Sequence, residues 1–355
     1  MATVAHSPPQ KYALVTGCTP GGIGHSLALT LAAPPYSYHV FATVRDPSKP
    51  DLSTLSSRPN ITLLPLDVTS SASISALVEQ ISTITSSRLH LLVNNAGRNY
   101  TVPGIEVSMA EVRSVFETNV FSVIKLTNAL APLLLNAASV PQSSNQSKSG
   151  FHTSTAYISL DPSTATPRIF RPVLNSINFL LRLATFGMLS PLSSPKTRPT
   201  IINIGSLGGT LPYVFGSVYN ASKAALHSYG DTLRVELEPF GVDVVTIVTG
   251  GVKSNIGRVE RHLKADSRYR AAETEYAHRQ KYAAEVGMRN EEYARRVCKR
   301  VLKGGEKGYV WEGAMVGLAR AGTWVPQWVV GWWMGSKFGL DKVGKGPVAQ
   351  AKKKV

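Results

Sequence analysis

Short apolar runs alternate with longer amphipathic stretches along most of the chain. Residues 11–16 (K-Y-A-L-V-T), 39–44, 61–66 and 89–93 are runs of five or six mostly apolar residues, the pattern of strands buried on both faces. Between them, 23–33 and 74–86 carry helical spacing, the first stopping before Pro34-Pro35, which cannot continue a helix. A helix is predicted over 109–135, and the alternation resumes with a strand at 200–205, a helix at 218–239 and a strand at 242–248. Strands alternating with helices predict an α/β fold, a doubly wound parallel sheet of Rossmann type covered on both faces.

The pattern breaks at 139–198, which holds 18 Ser/Thr, six Pro and a single acidic residue, Asp161. A segment that long without periodicity is unusual inside a domain. It reads as a surface insertion carrying one helix at 169–188, not as a second domain. Farther on, 273–303 reads as one or two charged helices and 308–311 as a last strand. The expected organisation is a single Rossmann-type domain over 11–312, interrupted at about 139–198, and a C-terminal extension over 313–355.

At 355 residues, 43% hydrophobic and 17% charged, the chain has the composition of a folded protein and not of a disordered one. Its two cysteines, Cys18 and Cys298, are far apart, with no C-x-x-C and no histidine cluster. That argues against a metal site or a disulfide scaffold and favours a reducing, cytosol-facing compartment. Residues 1–10 are polar with two prolines and lack the apolar centre of a secretory signal. The uncharged run at 321–336 is 16 residues, broken by Pro326 and Gln327, and is short for a bilayer span of about 20 residues. Net charge is +16, and residues 253–355 hold 22 basic against 10 acidic side chains. Clustered positive charge attracts phosphates. Nucleic-acid binding has no motif behind it and is not expected.

The first predicted strand runs into T-G-C-T-P-G-G-I-G (16–24). Glycines there let the backbone approach a pyrophosphate, and the helix beginning at Ile23 supplies N–H donors. Gly17, Gly22, Ile23 and Gly24 are therefore candidate cofactor contacts. At the end of the second strand, an acidic residue would bind an adenosine 2′-OH, whereas an arginine accommodates a 2′-phosphate. Arg45 stands there and points to NADPH; Asp46 beside it leaves NADH open as the less favoured cofactor. Asp67 in L-D-V and Asn94 in N-N-A-G follow the third and fourth strands, at the carboxyl ends where such sheets bind ligands. In Y-N-A-S-K (219–223), Tyr219 and Lys223 lie four apart on one helix face, with Ser206 at the preceding strand end. An ammonium beside a phenol lowers its pKa, so Tyr219 is a candidate proton donor to a carbonyl oxygen that Ser206 would orient.

Through T-G-C-T-P-G-G-I-G, N-N-A-G, T-N-V (118–120), Ser206 and Y-N-A-S-K, the chain resembles the short-chain dehydrogenase/reductase family over roughly 11–254. The resemblance implies that Asn119 is a fourth catalytic residue, holding a water in a proton relay to Lys223, and that Tyr219 and Lys223 also bind the cofactor. It implies that Val252 and Ser254, in T-G-G-V-K-S (249–254), contact the nicotinamide. Thr249 and Ser254 stand where the family has Pro and Thr. Within the family, F-G-S-V-Y-N-A-S-K-A-A-L-H (215–227), T-G-G-V-K-S-N-I (249–256) and the tail at 324–343 look most like fungal NADPH-dependent 1-acyldihydroxyacetone-phosphate reductases. The substrate this implies is hydrophobic or an acyl phosphate. Rival readings are a ketoreductase of secondary metabolism, acting on a polyketide or terpenoid, and a non-catalytic dinucleotide-binding protein.

Four of the five tryptophans, Trp324, Trp328, Trp332 and Trp333, lie in the tail beside Lys337, Lys342, Lys345 and Lys352 to Lys354. Tryptophan favours membrane–water interfaces and lysine meets anionic headgroups. This predicts peripheral contact with a membrane or lipid-droplet surface, on the cytosolic face of the endoplasmic reticulum or a droplet, and otherwise a cytoplasmic protein. The competing reading is packing against the core or in a homo-oligomer.

Overall fold

Every apolar run becomes a strand in the computed structural model, which describes residues 10–139, 198–257 and 259–344. In chain order the strands and helices are β1 (Tyr12–Val15), α1 (Ile23–Ala32), β2 (His39–Val44), α2 (Ser53–Ser56), β3 (Ile61–Pro65), α3 (Ser71–Thr85), β4 (Leu91–Asn94), α4 (Met109–Phe116) and α5 (Ser122–Ser139). Then follow β5 (Thr200–Ile204), α6 (Ser217–Leu237), β6 (Asp243–Thr249), β7 (Val252–Lys253), α7 (Glu273–Val286), β8 (Met288–Arg289), α8 (Asn290–Cys298), β9 (Gly308–Glu312), α9 (Val316–Gly322) and α10 (Gln327–Lys337). Seven strands pair in parallel in the order β3-β2-β1-β4-β5-β6-β9, and β7 pairs with β8 apart from them. This is the doubly wound sheet that the alternation predicts.

Successive strand residues face opposite sides, and both sides are apolar. Ala13, Val15, Val40, Ala42, Val93, Ile202 and Ile247 bury one face under Leu27 and Leu31 of α1 and Tyr293 and Val297 of α8. Leu14, Phe41, Leu92, Ile201 and Val244 bury the other under Leu77 and Ile81 of α3 and Leu126, Leu130 and Leu133 of α5. Each buried Val, Leu, Ile or Phe among them contributes about 1.5–3 kcal/mol by leaving water. The chain winds outward from β1 to β3, then returns to place β4 on the other side of β1. The crevice beyond the carboxyl ends of β1 and β4 is therefore the switch point where such sheets take ligands.

One sequence expectation needs adjustment and two are made specific. The predicted helix over 109–135 is two helices joined by a π-turn, Glu117–Phe121, and Met109–Ser139 passes a length-and-hydropathy test for a membrane span. Leu126, Leu130, Leu133 and Leu134 nevertheless pack on the sheet, so α5 is a core helix. The charged stretch at 273–303 is split at Gly287, where a Cβ would lie 2.3 Å from the Ala283 carbonyl, and β8 pairs there with β7. Part of the tail packs on the body: Val330, Met334 and Phe338 join Leu211, Phe215, Leu263 and Tyr276 in a third apolar cluster. The insertion, with its predicted helix at 169–188, lies outside the described residues except at its ends.

Candidate active site

The glycine turn after β1 is held by its backbone. Gly17 and Gly21 take left-handed φ values of +72° and +70°, which only glycine adopts without strain. A Cβ on Gly24 would stand 2.6 Å from the Gly17 carbonyl and 2.4 Å from the Asn95 amide nitrogen. Gly22 caps α1 in extended geometry with no side-chain cap, so the helix that begins at Ile23 turns uncapped N–H groups outward for an anion. Asn95 fixes the turn from β4: its Nδ2 donates to the Thr16 and Gly17 carbonyls at 2.7 and 3.1 Å. Thr16 Oγ1 accepts from the Asn95 and Ala96 amides, both at 2.9 Å. From far along the chain, Asn255 Nδ2 donates to the Pro20 carbonyl at 2.6 Å.

Asn94 does not join this crevice. Its side chain is buried in the sheet, donating to Asn203 Oδ1 at 2.9 Å; it is the neighbouring Asn95 that reaches the glycine turn. At the end of β2, Asp46 accepts from the Ser48 amide and hydroxyl at 3.0 and 2.6 Å, which commits its carboxylate to a local turn. Arg45 beside it is exposed and makes no ion pair among the described residues. Asp67, exposed after β3, accepts from the Thr69 amide and hydroxyl at 2.9 and 2.7 Å. These bonds, with Arg45 contributing, hold its carboxyl below the usual range. An open cradle, uncapped N–H groups and an uncommitted arginine fit a dinucleotide with a 2′-phosphate.

The four predicted catalytic residues converge at the ends of β4 and β5. The π-turn carries Asn119, which is buried: its Oδ1 accepts from the Arg98 amide at 2.8 Å, and its Nδ2 donates to the Arg98 carbonyl and Ser222 Oγ, both at 3.0 Å. Ser222 Oγ in turn donates to the Tyr219 carbonyl at 2.7 Å. Lys223 Nζ donates to the Ile204 carbonyl at 2.7 Å and lies 5.9 Å from the centre of the Tyr219 ring. Ser206 Oγ accepts from the Gly208 amide at 3.1 Å and lies close enough to the Tyr219 phenol to favour its ionised form.

The expectation that Lys223 lowers the Tyr219 pKa is corrected. Burial raises the phenol's pKa, against the opposing influence of the Ser206 hydroxyl and the Arg279 charge. Burial also pulls Lys223 down to about 8, and its ammonium gives one of its three hydrogens to the Ile204 carbonyl. Val252 is buried on β7 and Ser254 follows it half-buried. Thr249 has a structural account: its hydroxyl meets the Tyr293 hydroxyl at 2.7 Å, buried between β6 and α8.

Sequence reasoning missed His227, one turn beyond Lys223. Its Nε2 accepts the Ser206 amide hydrogen at 3.2 Å, so the ring is neutral and protonated on Nδ1. Burial, then the Lys223 charge, push its pKa down to about 4. Carbons and nitrogens of this ring fill the space that a Cβ would need at Gly205 and Gly209. His227 thereby sets the backbone on which Ser206 stands.

A family model described as short chain dehydrogenase matches residues 11–159 and 170–264. The chain belongs to the short-chain dehydrogenases. Among relatives of this family, short-chain dehydrogenase virD of Hypocrea virens is 31% identical over 349 residues, 97% of this chain and 98% of that protein. The NADPH-dependent 1-acyldihydroxyacetone phosphate reductase of Schizosaccharomyces pombe is 30% identical over 247 residues, 70% of this chain and 62% of that one. A short-chain dehydrogenase from Streptomyces avermitilis shares the fold with a TM-score of 0.63 at 21% identity, over 89% of this chain and 92% of that one. As a short-chain dehydrogenase, the chain is an oxidoreductase.

Proposed function

We propose that this short-chain dehydrogenase is an NADPH-dependent reductase of the ketone of a lipid-like substrate. The first-choice reaction takes 1-acyldihydroxyacetone phosphate to lysophosphatidic acid. The observation that carries the reaction type is the convergence of Ser206, Tyr219, Lys223 and Asn119 beside the glycine cradle. When bound, the nicotinamide supplies a hydride to the carbonyl carbon. Ser206 and Tyr219 hold the carbonyl oxygen through their hydroxyls, and Tyr219 gives it a proton. Lys223 holds the ribose and, with Asn119, supports resupply of that proton. NADPH is favoured by the uncommitted Arg45 next to a committed Asp46 and by the cofactor named for the Schizosaccharomyces pombe relative.

That relative and the basic last third support an acyl phosphate. A phosphate-free ketone is the second reading, because the virD relative matches nearly end to end while the phosphate reductase matches over 62% of its length. Competition decides between them. If 1-acyldihydroxyacetone phosphate has a kcat/KM at least tenfold above that of its dephosphorylated analogue, the first reading stands; the reverse ranking selects the second.

The reading extends to where the enzyme works. While α10 buries Val330 and Met334, its outer side leaves Trp328 76% and Trp332 70% exposed, with Trp324 88% and Leu318 62% exposed alongside. We assign this face to a lipid surface, the endoplasmic reticulum or a lipid droplet, with the exposed Arg320 near the headgroups. The protein is expected to float with anionic vesicles in high salt, and Trp328→Ser with Trp332→Ser to remain in the soluble fraction with activity on a soluble ketone retained. Equal flotation of the two proteins would contradict the assignment.

A further inference from the structure

Arg279 of α7 is a charged side chain that the catalytic constellation leaves unused. It is only 5% exposed. Its Nε donates to the Val214 carbonyl at 3.1 Å. The guanidinium lies 3.4 Å from the centre of the Tyr213 ring and 6.0 Å from that of Phe338. A Cβ on Gly216 would stand 3.4 Å from its Nη2. Gly216 caps α6, and Tyr219 sits in the first turn beyond it. The guanidinium is thus built against the backbone that presents the phenol.

A buried charge is costly unless something answers it. The nearest acids along α7 are committed elsewhere, Glu273 to Arg270, Glu275 to Lys342 and Glu285 to His278, and no carboxylate pairs with Arg279 among the described residues. Its surroundings are phenols: those of Tyr213, Tyr219 and Tyr276 are the groups whose charge would favour its cationic form. Arginine keeps its charge under burial better than lysine does. Lys223, by contrast, is buried and bound to the Ile204 carbonyl.

We infer that Arg279 is a positioning residue for catalysis, a second cation whose field stabilises the phenolate that Tyr219 becomes after passing its proton to the substrate oxygen. This rests on Tyr219 being the proton donor. Around the phenol, Lys223 Nζ on α6 stands 5.9 Å from the ring centre, and the Ser206 hydroxyl from the end of β5, Arg279 on α7 and the Tyr293 hydroxyl on α8 are within electrostatic reach. Only Lys223 and Arg279 among these are cationic.

The test is a pair of variants of the full chain. Arg279→Gln keeps a donor for the Val214 carbonyl and removes the charge; Arg279→Lys keeps the charge. Tyr219 ionisation is read as the tyrosinate absorbance that disappears when Tyr219→Phe is added to each background, with or without turnover. Arg279→Gln is expected to move that titration up by about one pH unit, to lower kcat for reduction about tenfold, and to shift the pH–rate limb for alcohol oxidation the same way. KM should stay within about threefold, and Arg279→Lys should recover most of kcat and titrate near wild type. An unmoved titration in Arg279→Gln would overturn the inference. So would a loss confined to KM for phosphate-bearing ketones, which would give the guanidinium to the substrate. Full activity in Tyr219→Phe would instead overturn the proton-donor reading, and the two failures are separate.

Discussion

Tyr219→Phe is expected to lower kcat for ketone reduction by roughly a hundred- to ten-thousandfold, the range for losing a positioned general acid. The phenol belongs to a residue whose backbone is fixed from below, where Ser222 ties the Tyr219 carbonyl to Asn119. The backbone should therefore stay in place when the hydroxyl is removed. NADPH affinity should change little, since the glycine turn and Arg45 are untouched. Steady-state kinetics beside a cofactor titration check both halves. A kcat within threefold of wild type would remove Tyr219 from the chemistry, and a lost cofactor affinity would make its role structural.

The second large effect is expected at Gly24. An added Cβ at 2.6 Å from the Gly17 carbonyl and 2.4 Å from the Asn95 nitrogen must push back the backbone that holds the cradle shut. Overpacking of that kind costs about 1–3 kcal/mol. If the displacement falls on the binding-competent turn, Gly24→Ala raises the NADPH dissociation constant by roughly five- to a hundredfold. Gly317→Ala is the control: nothing lies within 4 Å of its Cβ position, and in α9 it should be neutral or slightly stabilising. NADPH fluorescence titration compares the two. Equal affinity in both variants would mean that the turn tolerates displacement and that the cradle reading is wrong.

Strand positions were legible because each parallel strand is apolar on both sides and short, which leaves little choice of period. The glycine turn and Y-N-A-S-K were legible because their chemistry depends on spacing within one turn or one helix. What escaped depends on distance in the fold. Asn94 and Asn95 are adjacent and chemically identical, and only the sheet decides that one pairs with Asn203 while the other reaches Thr16 and Gly17. Asn255 meets the Pro20 carbonyl across 235 positions, with no local signal to announce it. His227 lies at helical spacing from Lys223, but its bond to the Ser206 amide needs β5 beside α6.

The phenol itself shows why proximity in sequence did not settle its electrostatics. Tyr219 and Lys223 share a helix face, as their spacing requires. Burial of both side chains nevertheless decides the outcome, so the phenol is raised and the ammonium lowered. The tail was legible in composition and incomplete in geometry. Its tryptophans suggested one surface, whereas α10 carries two: Met334 and nearby Phe338 lock it to the body, and Trp328 and Trp332 face outward.

Reduction of a ketone with NADPH through Tyr219 is tested most directly by consumption of NADPH and of NADH by purified wild type and Tyr219→Phe, with 1-acyldihydroxyacetone phosphate as the ketone. Wild-type turnover is expected to prefer NADPH by at least tenfold and to fall a hundredfold or more in Tyr219→Phe. Turnover that is equal in the two proteins, or that prefers NADH, would contradict this reading.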